Sequence, residues 1–315
     1  MKGRTVMTGQ DGLILAIDAG GTFFKSGLVS ADGKILEHTR VSCPVDSAGQ
    51  ASSVRSAYHI LIARQLENAR AIGRAIKAVG VDTPGPFDYQ EGKSLMRHKF
   101  PALYGIPLRP WIQEAAGDLP VRFLHDSTAF LLGEYWKGGI QGEGNAAGVM
   151  LGTGLGFAYM RNGEVQLNPQ GGPGFSLYTV PYRKGAAEDY VSRRGIISRY
   201  LERTPMAGSG IDVADISRLA REGSEPARVT MRETGRMLGE ILFPVLKEKG
   251  CRRLTIGGQI SKAYPLFGRD LEQTLADLQL DGISPAANPD DAHLLGCAYV
   301  LADGSREARE AASGA

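Results

Sequence analysis

LILAIDAGGTFFKSGLV, residues 13–29, is the stretch whose reading decides the fold. Leu13 to Ile17 is an apolar run of strand length, and Asp18 ends it. Gly20, Gly21 and Thr22 follow, and a second apolar segment begins beyond Lys25. The pattern predicts strand, tight turn, strand. Two bare glycines let the backbone approach phosphate oxygens, and a carboxylate at the strand end reaches a cation directly or through water. The stretch is therefore either an ordinary glycine hairpin or a turn built for a metal-bound phosphate. The remainder of the chain has to decide between them.

A length of 315 residues accommodates one large α/β unit or two packed domains with a sizeable core. With 43% hydrophobic and 22% charged residues, the composition is that of a soluble globular protein. The net charge of +2 is spread along the chain, so no nucleic-acid face announces itself. MKGRTVMTGQDG at the start has basic residues but no apolar core, against a signal peptide, and no apolar run approaches the ~20 residues of a membrane span. A cytoplasmic protein is expected. Cys43, Cys251 and Cys297 are scattered and form no CxxC pair, which fits a reducing compartment.

A further strand is expected near Ile35 to Val41, and one long helix, or two broken near Glu67, from Ser53 to Ile76. A strand from Ala78 to Val81 stops at Thr83-Pro84-Gly85-Pro86; Phe87 to Pro110 reads as loop, and Pro110 to Ala116 as a short helix. The strand Val121 to Leu124 runs into His125-Asp126-Ser127, and a helix follows from Thr128 to Trp136 with Ser127 as its N-cap. Ala146 to Leu151 is a strand ending in Gly152-Thr153-Gly154-Leu155-Gly156, with Phe157 to Met160 returning and a turn at Arg161-Asn162-Gly163. This repeats the grammar of residues 13–29, a repeat of topology rather than of sequence. Helices are expected over 187–199, 213–220, 226–249 and 292–301, with loops at 204–210 and from Gly304 onward. A strand at 253–256 leads into Gly257-Gly258, and a helix carries Leu271 to Leu275. Strands alternating with helices and ending in glycine turns indicate α/β architecture with ligands at strand ends. The best domain boundary is the glycine loop at 138–144.

Three glycine turns, at 20–22, 152–156 and 257–258, each follow an apolar strand and could converge on a nucleotide. A polyphosphate needs several backbone N–H groups on one side and a cation on the other. No turn matches GxxxxGK[ST], and none has the strand–turn–helix context of GxGxxG. Asp126, between strand and helix, is placed either to accept a proton from a substrate hydroxyl or simply to cap the helix. His293 reads as structural. A metal cage is not expected, because histidines and cysteines never cluster at ligand spacing; Mg2+ carried by a nucleotide needs only one or two carboxylates.

DAGGTFFKSGLVSADGKIL, VDTPGPFD, HDSTAFLLGEYWKG, LGTGLGFAYMRNGEV and LTIGGQIS follow one another in an order and spacing that resembles the ROK family (repressor, open reading frame, kinase), over about Leu13 to Leu301. The resemblance implies an α/β, duplicated actin-like and hexokinase-like (ribonuclease H-like) two-lobe ATPase fold. The N-terminal lobe, 12–137, would hold the first phosphate turn and the catalytic Asp. The C-terminal lobe, 138–303, would hold the second turn and the nucleoside-side glycines, its last helix free to pack back on the first lobe. It also implies ATP-dependent phosphorylation of a sugar hydroxyl with Asp126 as base. ATP and Mg2+ would be held through Asp18, Gly20, Gly21, Thr22, Lys25, Gly152, Thr153, Gly154, Gly156, Gly257 and Gly258, with Asp18 on the Mg2+. Pro84, Gly85, His125, Asp126, Phe175, Tyr178 and Glu188 would face the substrate.

The departures from the family pattern bear on substrate. His125 stands where the family often has a sugar-binding Asn. Gly174-Phe175-Ser176-Leu177-Tyr178 replaces Gly-Glu-x-Gly-His, so a sugar-binding Glu and a His shared with zinc become Phe175 and Tyr178. Gly185-Ala186-Ala187-Glu188 replaces the end of the cysteine cluster, keeping Glu188, and no structural zinc is expected. A hydroxyl left without a partner loses transition-state binding, so glucose alone is a poor fit and another monosaccharide or a cyclitol becomes credible. The resemblance includes a DNA-binding branch with an added N-terminal helix-turn-helix domain, for which about a dozen leading residues leave no room. Direct DNA binding and membrane partners are not expected, and a homodimer stays open. A non-catalytic sugar sensor acting through a partner is the alternative reading. An acetate-kinase-like or chaperone-type ATPase is disfavoured by Pro84-Gly85-Pro86.

Overall fold

The computed structural model describes residues 12–206 and 210–302; the leader, part of the expected 204–210 loop and the tail from Gly304 lie outside them. The strands of the two main sheets are Leu13–Ala19 (β1), Phe23–Ser30 (β2), Val41–Pro44 (β3), Ile76–Thr83 (β4), Val121–His125 (β5), Ala146–Leu151 (β6), Leu155–Arg161 (β7), Glu164–Val165 (β8), Arg253–Gly257 (β9) and Gly282–Pro285 (β10). The helices are Ala51–Ala71 (α1), Arg109–Ala116 (α2), Asp126–Lys137 (α3), Ala187–Val191 (α4), Arg193–Arg203 (α5), Val213–Arg221 (α6), Glu225–Lys249 (α7), Tyr264–Thr274 (α8) and Ala292–Tyr299 (α9).

The first sheet runs β3-β2-β1-β4-β5 and the second β8-β7-β6-β9-β10. In each, the first two joints are antiparallel and the last two parallel. The local repeat of strand, glycine turn and return strand is thus the seed of a repeated sheet. Two turns owe their tightness to missing side chains or to positive φ. A side chain on Gly20 would meet Phe23 O at 2.9 Å, and the turn after β7 uses Asn162 and Gly163 at positive φ (52° and 81°), as a mirror-type hairpin turn requires.

The chain forms two compact units. Among the described residues, one comprises 12–137, Asn168–Gly172 and 290–302; the other is Gly138–Leu167 and Pro173–Pro289. The last helix, left free to pack back by the resemblance, falls in the first unit, as does Asn168–Gly172. α9 packs on α3, β1 and β4, and two glycines set how closely. A side-chain carbon on Gly133 would overlap the carbonyl oxygen of Ala292, and one on Gly296 that of Ala129. Each unit has its own apolar core. The first gathers Leu13, Leu15, Ile17, Tyr58, Leu61 and Phe123, and the second Val149, Leu238, Leu242, Ile256 and Phe267.

Several local expectations shift, each for an identifiable reason. The strand expected near 35–41 is β3 instead. Ile35 makes a lone bridge to Val29, residues 37–39 form a 3-10 turn, and the Thr39 side chain takes over the bonding. Thr39 Oγ1 accepts from Leu28 N–H at 2.9 Å and donates to Leu36 O at 2.6 Å. α1 is unbroken because nothing between 51 and 71 is Pro or Gly, and its buried Gln65 donates to Ser26 Oγ and Thr39 O. The single helix expected over 187–199 is two, interrupted at Ser192 (ψ 172°), where Arg193 N–H turns to donate to Gly152 O at 2.8 Å. Ser127 is not an N-cap but the second residue of α3: Asp126 begins that helix, and its own carboxylate accepts the Ser127 N–H at 2.6 Å. β10 has no counterpart in the expected elements.

Candidate active site

In the first unit, chemistry-bearing residues collect at the carboxyl ends of the three parallel strands. Register puts Asp18 of β1 beside Asp82 of β4, and Thr83 beside His125 of β5, so Asp126 lies one step past the sheet edge at the start of α3. Ligands of open α/β sheets bind at this edge, beyond the strand ends. The first glycine turn is at the same edge. Asp18, Gly20 and Gly21 are half-buried, while Thr22 and Lys25 are exposed. Lys99, from the segment after β4, lies over this turn: its Cε would stand 2.9 Å from a side-chain carbon on Gly21.

Asp126 is 29% exposed at its side chain, and its Oδ1 lies 2.7 Å from His125 Nδ1. A proton on Nδ1 makes that contact a hydrogen bond to the carboxylate, and Ser127 Oγ, 2.9 Å from the same nitrogen, fixes the ring further. Burial alone would push the Asp126 carboxyl up, but the charge and hydrogen bond of His125, with His293 and the Ser127 N–H, hold it well below the usual carboxylate range. Beside His125, the Tyr89 ring stands edge-on at 5.8 Å, its hydroxyl donating to Thr83 O at 3.2 Å. Gly85 fits between them: a side-chain carbon there would lie 3.3 Å from Tyr89 Oη and 3.4 Å from His125 Cδ2. Pro84 and Gly85 thus share one half-buried wall with His125.

Behind the turn is a buried group that reading the sequence did not assemble. Asp82 is 1% exposed; its Oδ2 accepts from the Cys297 thiol at 3.4 Å, and its Oδ1 is 3.6 Å from His293 Nδ1. Burial first, then the Asp18 charge, raise the Asp82 carboxyl above its ordinary range. Burial alone would lower His293, but the surrounding carboxylates of Asp82, Asp18 and Asp126 outweigh it and raise the imidazole. Among the described residues, Asp18, Asp82 and His293 offer ligand atoms within 4.8 Å of one another, enough to hold a metal ion. The sequence expectation weighed histidines and cysteines among themselves; here a single histidine meets two carboxylates, brought together from β1, β4 and α9. The signal available was Asp82 itself, a carboxylate at the end of the apolar run Ala-Val-Gly-Val.

In the second unit, Gly152 to Gly156 form the turn between β6 and β7, closed by Gly152 N–H donating to Gly154 O at 3.1 Å. Gly258 (φ 79°) backs onto the end of β6, where a side chain would overlap Leu151 O; Gly257 and Gly258 therefore adjoin this turn. Glu188, in the first turn of α4, accepts from Leu155 N–H at 3.0 Å and is tied to the same turn. Phe175 packs edge-on against Phe157 at 5.9 Å under the Lys249 ammonium. Tyr178, in a 3-10 turn, is 48% exposed. All three cysteines are unpaired, and 174–188 contains neither Cys nor His.

A model described as the ROK family matches residues 14–303. The chain belongs to the ROK family. It is 26% identical to a glucokinase from Thermotoga maritima, covering 91% of this chain and 96% of that one. It is also 26% identical to an N-acetylmannosamine kinase from Escherichia fergusonii, covering 93% and 99%. Among solved structures, a ROK family glucokinase from Streptomyces griseus, in complex with glucose and AMPPNP, superposes with a TM-score of 0.76 at 23% identity, covering 92% of this chain and 99% of that one. This ROK protein has the actin-type, hexokinase-like fold of mixed sheets and helices. Family membership is consistent with ATP-dependent carbohydrate kinase activity, for which ATP and Mg2+ are typical. No helix among the described residues is long and apolar enough to cross a membrane.

Proposed function

We propose that this ROK protein transfers the terminal phosphoryl group of ATP to a hydroxyl of a monosaccharide or a sugar-like polyol or cyclitol, with Asp126 as general base. The observation that carries the reading is the Asp126 carboxylate, held ionised at the helix start on the same sheet edge as the Gly20–Thr22 turn. Phosphoryl transfer asks little covalent chemistry of a protein; positioning and charge stabilisation do most of it. A carboxylate oxygen fixed by His125 and the Ser127 N–H leaves its second oxygen to orient a substrate hydroxyl and receive its proton as the new O–P bond forms. The backbone of Gly20, Gly21 and Thr22, with Lys25, fits phosphate oxygens. In the second unit, Gly152, Thr153, Gly154 and Gly156 form a turn of the same kind, suited to phosphate, and Gly257 and Gly258 beside it suit a nucleoside. Mg2+, when bound with ATP, would neutralise charge on the transferring group, and Asp18, half-buried at the end of β1, would hold it.

The substrate end supports an acceptor other than glucose alone. An imidazole at His125 next to Tyr89 and Gly85 presents a partly aromatic wall, and Glu188 is engaged by a backbone N–H of its own turn. Hexoses, amino sugars and cyclitols incubated with Mg-ATP test the reading, with ADP release and phosphorylated product followed together. Stoichiometric product from at least one of them is the expected result. Specific sugar binding with no transfer to any would replace the kinase by a sensor acting through a partner.

A second expectation concerns pH. The folded-state value of Asp126 lies below its unfolded value, so its stabilising contribution is present above about pH 3.9 and is lost only as pH falls through the lower folded value. Carboxyl-carbon NMR of aspartate-labelled protein should show Asp126 still ionised where ordinary aspartates are half titrated. A midpoint at or above 4 would remove His125 as its partner.

A further inference from the structure

We propose that Asp18, Asp82 and His293 form a resident divalent-cation site that fills without nucleotide and prefers borderline ions such as Zn2+ or Fe2+ to Mg2+ or Ca2+. The inference stands apart from the kinase reading, since it concerns binding to the protein alone. It rests first on two orphaned atoms. Asp82 is 1% exposed and its Oδ1 has no hydrogen-bond partner; His293 Nδ1, also buried, has none either. Buried polar atoms without partners are rare because each forfeits its hydration with no return. These two face each other at 3.6 Å, too far for a hydrogen bond. That separation suits two ligands on one ion, since metal–ligand bonds of about 2.0–2.2 Å around a tetrahedral or octahedral centre set ligand edges of roughly 3.0–3.5 Å. Asp18 brings a third ligand atom within 4.8 Å of both.

The surroundings are arranged as outer ligands of a metal site are. The Cys297 thiol donates to Asp82 Oδ2 at 3.4 Å, which leaves Oδ1 to point at His293. Cys297 and His293 are on α9, and that helix cannot slide. Gly296 lies against the Ala129 carbonyl, and a side chain on Gly80 would overlap the Cys297 carbonyl. The ligand set, two carboxylate oxygens and one imidazole nitrogen, sets the preference. Mg2+ and Ca2+ favour oxygen alone, whereas imidazole suits Zn2+, Fe2+ and neighbouring ions, with Mn2+ serving as a paramagnetic probe of the same oxygen and nitrogen set. Three protein ligands leave open positions for water.

The test uses the full chain, stripped with a chelator, dialysed and free of nucleotide. Titration with Mn2+, followed by electron paramagnetic resonance and calorimetry, should give one saturable site per chain. Spin-echo spectra of the bound ion should show coupling to a single imidazole nitrogen. His293→Ala should abolish that coupling, and Asp82→Asn should weaken binding by about tenfold or more. His38→Ala, an exposed histidine elsewhere, should change neither. Circular dichroism of each variant establishes that it is folded; wild-type coupling needs no variant at all. Absence of saturable Mn2+ and Zn2+ uptake by the wild-type chain would overturn the site in favour of a bare Asp82–His293 ion pair. So would bound Mn2+ without nitrogen coupling. Binding only when ATP is added would assign the ion to the nucleotide instead.

Discussion

Asp126→Asn should lower turnover on the true acceptor by about 10²–10⁴-fold, the range over which a positioned general base contributes. The substitution keeps size and shape, and the amide oxygen still accepts the Ser127 N–H that begins α3. It removes the charge that His125 Nδ1 faces at 2.7 Å and the basic oxygen that would take the substrate proton. Nucleotide affinity should change little, so the kinetic loss should appear in kcat far more than in the KM for ATP, while losing the charge that His125 holds should lower the unfolding midpoint at neutral pH. Steady-state kinetics beside a thermal unfolding curve check both halves. Near-wild-type turnover would take Asp126 out of the chemistry and leave it as a helix cap.

Gly296→Ala should destabilise the first unit by more than about 3 kcal/mol, at the upper end of what overpacking does. The added carbon would overlap the carbonyl oxygen of Ala129. A backbone atom cannot rotate away as a side chain could, so relief requires α9 to part from α3 and from β1 and β4 beneath it. Both tryptophans, Trp111 and Trp136, belong to this unit, so indole fluorescence in a urea titration reads its unfolding selectively. The fluorescence midpoint should fall steeply with the slope unchanged. A midpoint equal to that of the wild type would show that the two helices pack more loosely than their glycines imply.

How much of this was legible beforehand depended on range. The turn at Gly20–Thr22, the strand end at Asp126, the hairpin at Asn162-Gly163 and the stop of α7 at Gly250 (φ 69°) were all readable. Each is a local matter of apolar period, missing side chains and allowed φ. Expectations failed where a distant side chain replaced a local bond. Thr39 and Gln65 displaced the third strand, Gly152 O drew the chain out of helix at Ser192, and the Asp126 carboxylate took the capping bond assigned to Ser127.

By itself the sequence determined the α/β class, the repeated strand–glycine–strand grammar and the ordered motifs of the ROK family. Those are carried by periodicity and by residue types that turns demand, and both act over a few neighbours. Only the tertiary structure decided that the last helix belongs with the first unit, which brings His293 and Cys297 to Asp82 and Asp18. That choice is made by burial. The apolar face of α9 is hidden only where Gly133, Gly296 and Gly80 let backbones approach, and no local pattern around His293 records where those glycines lie.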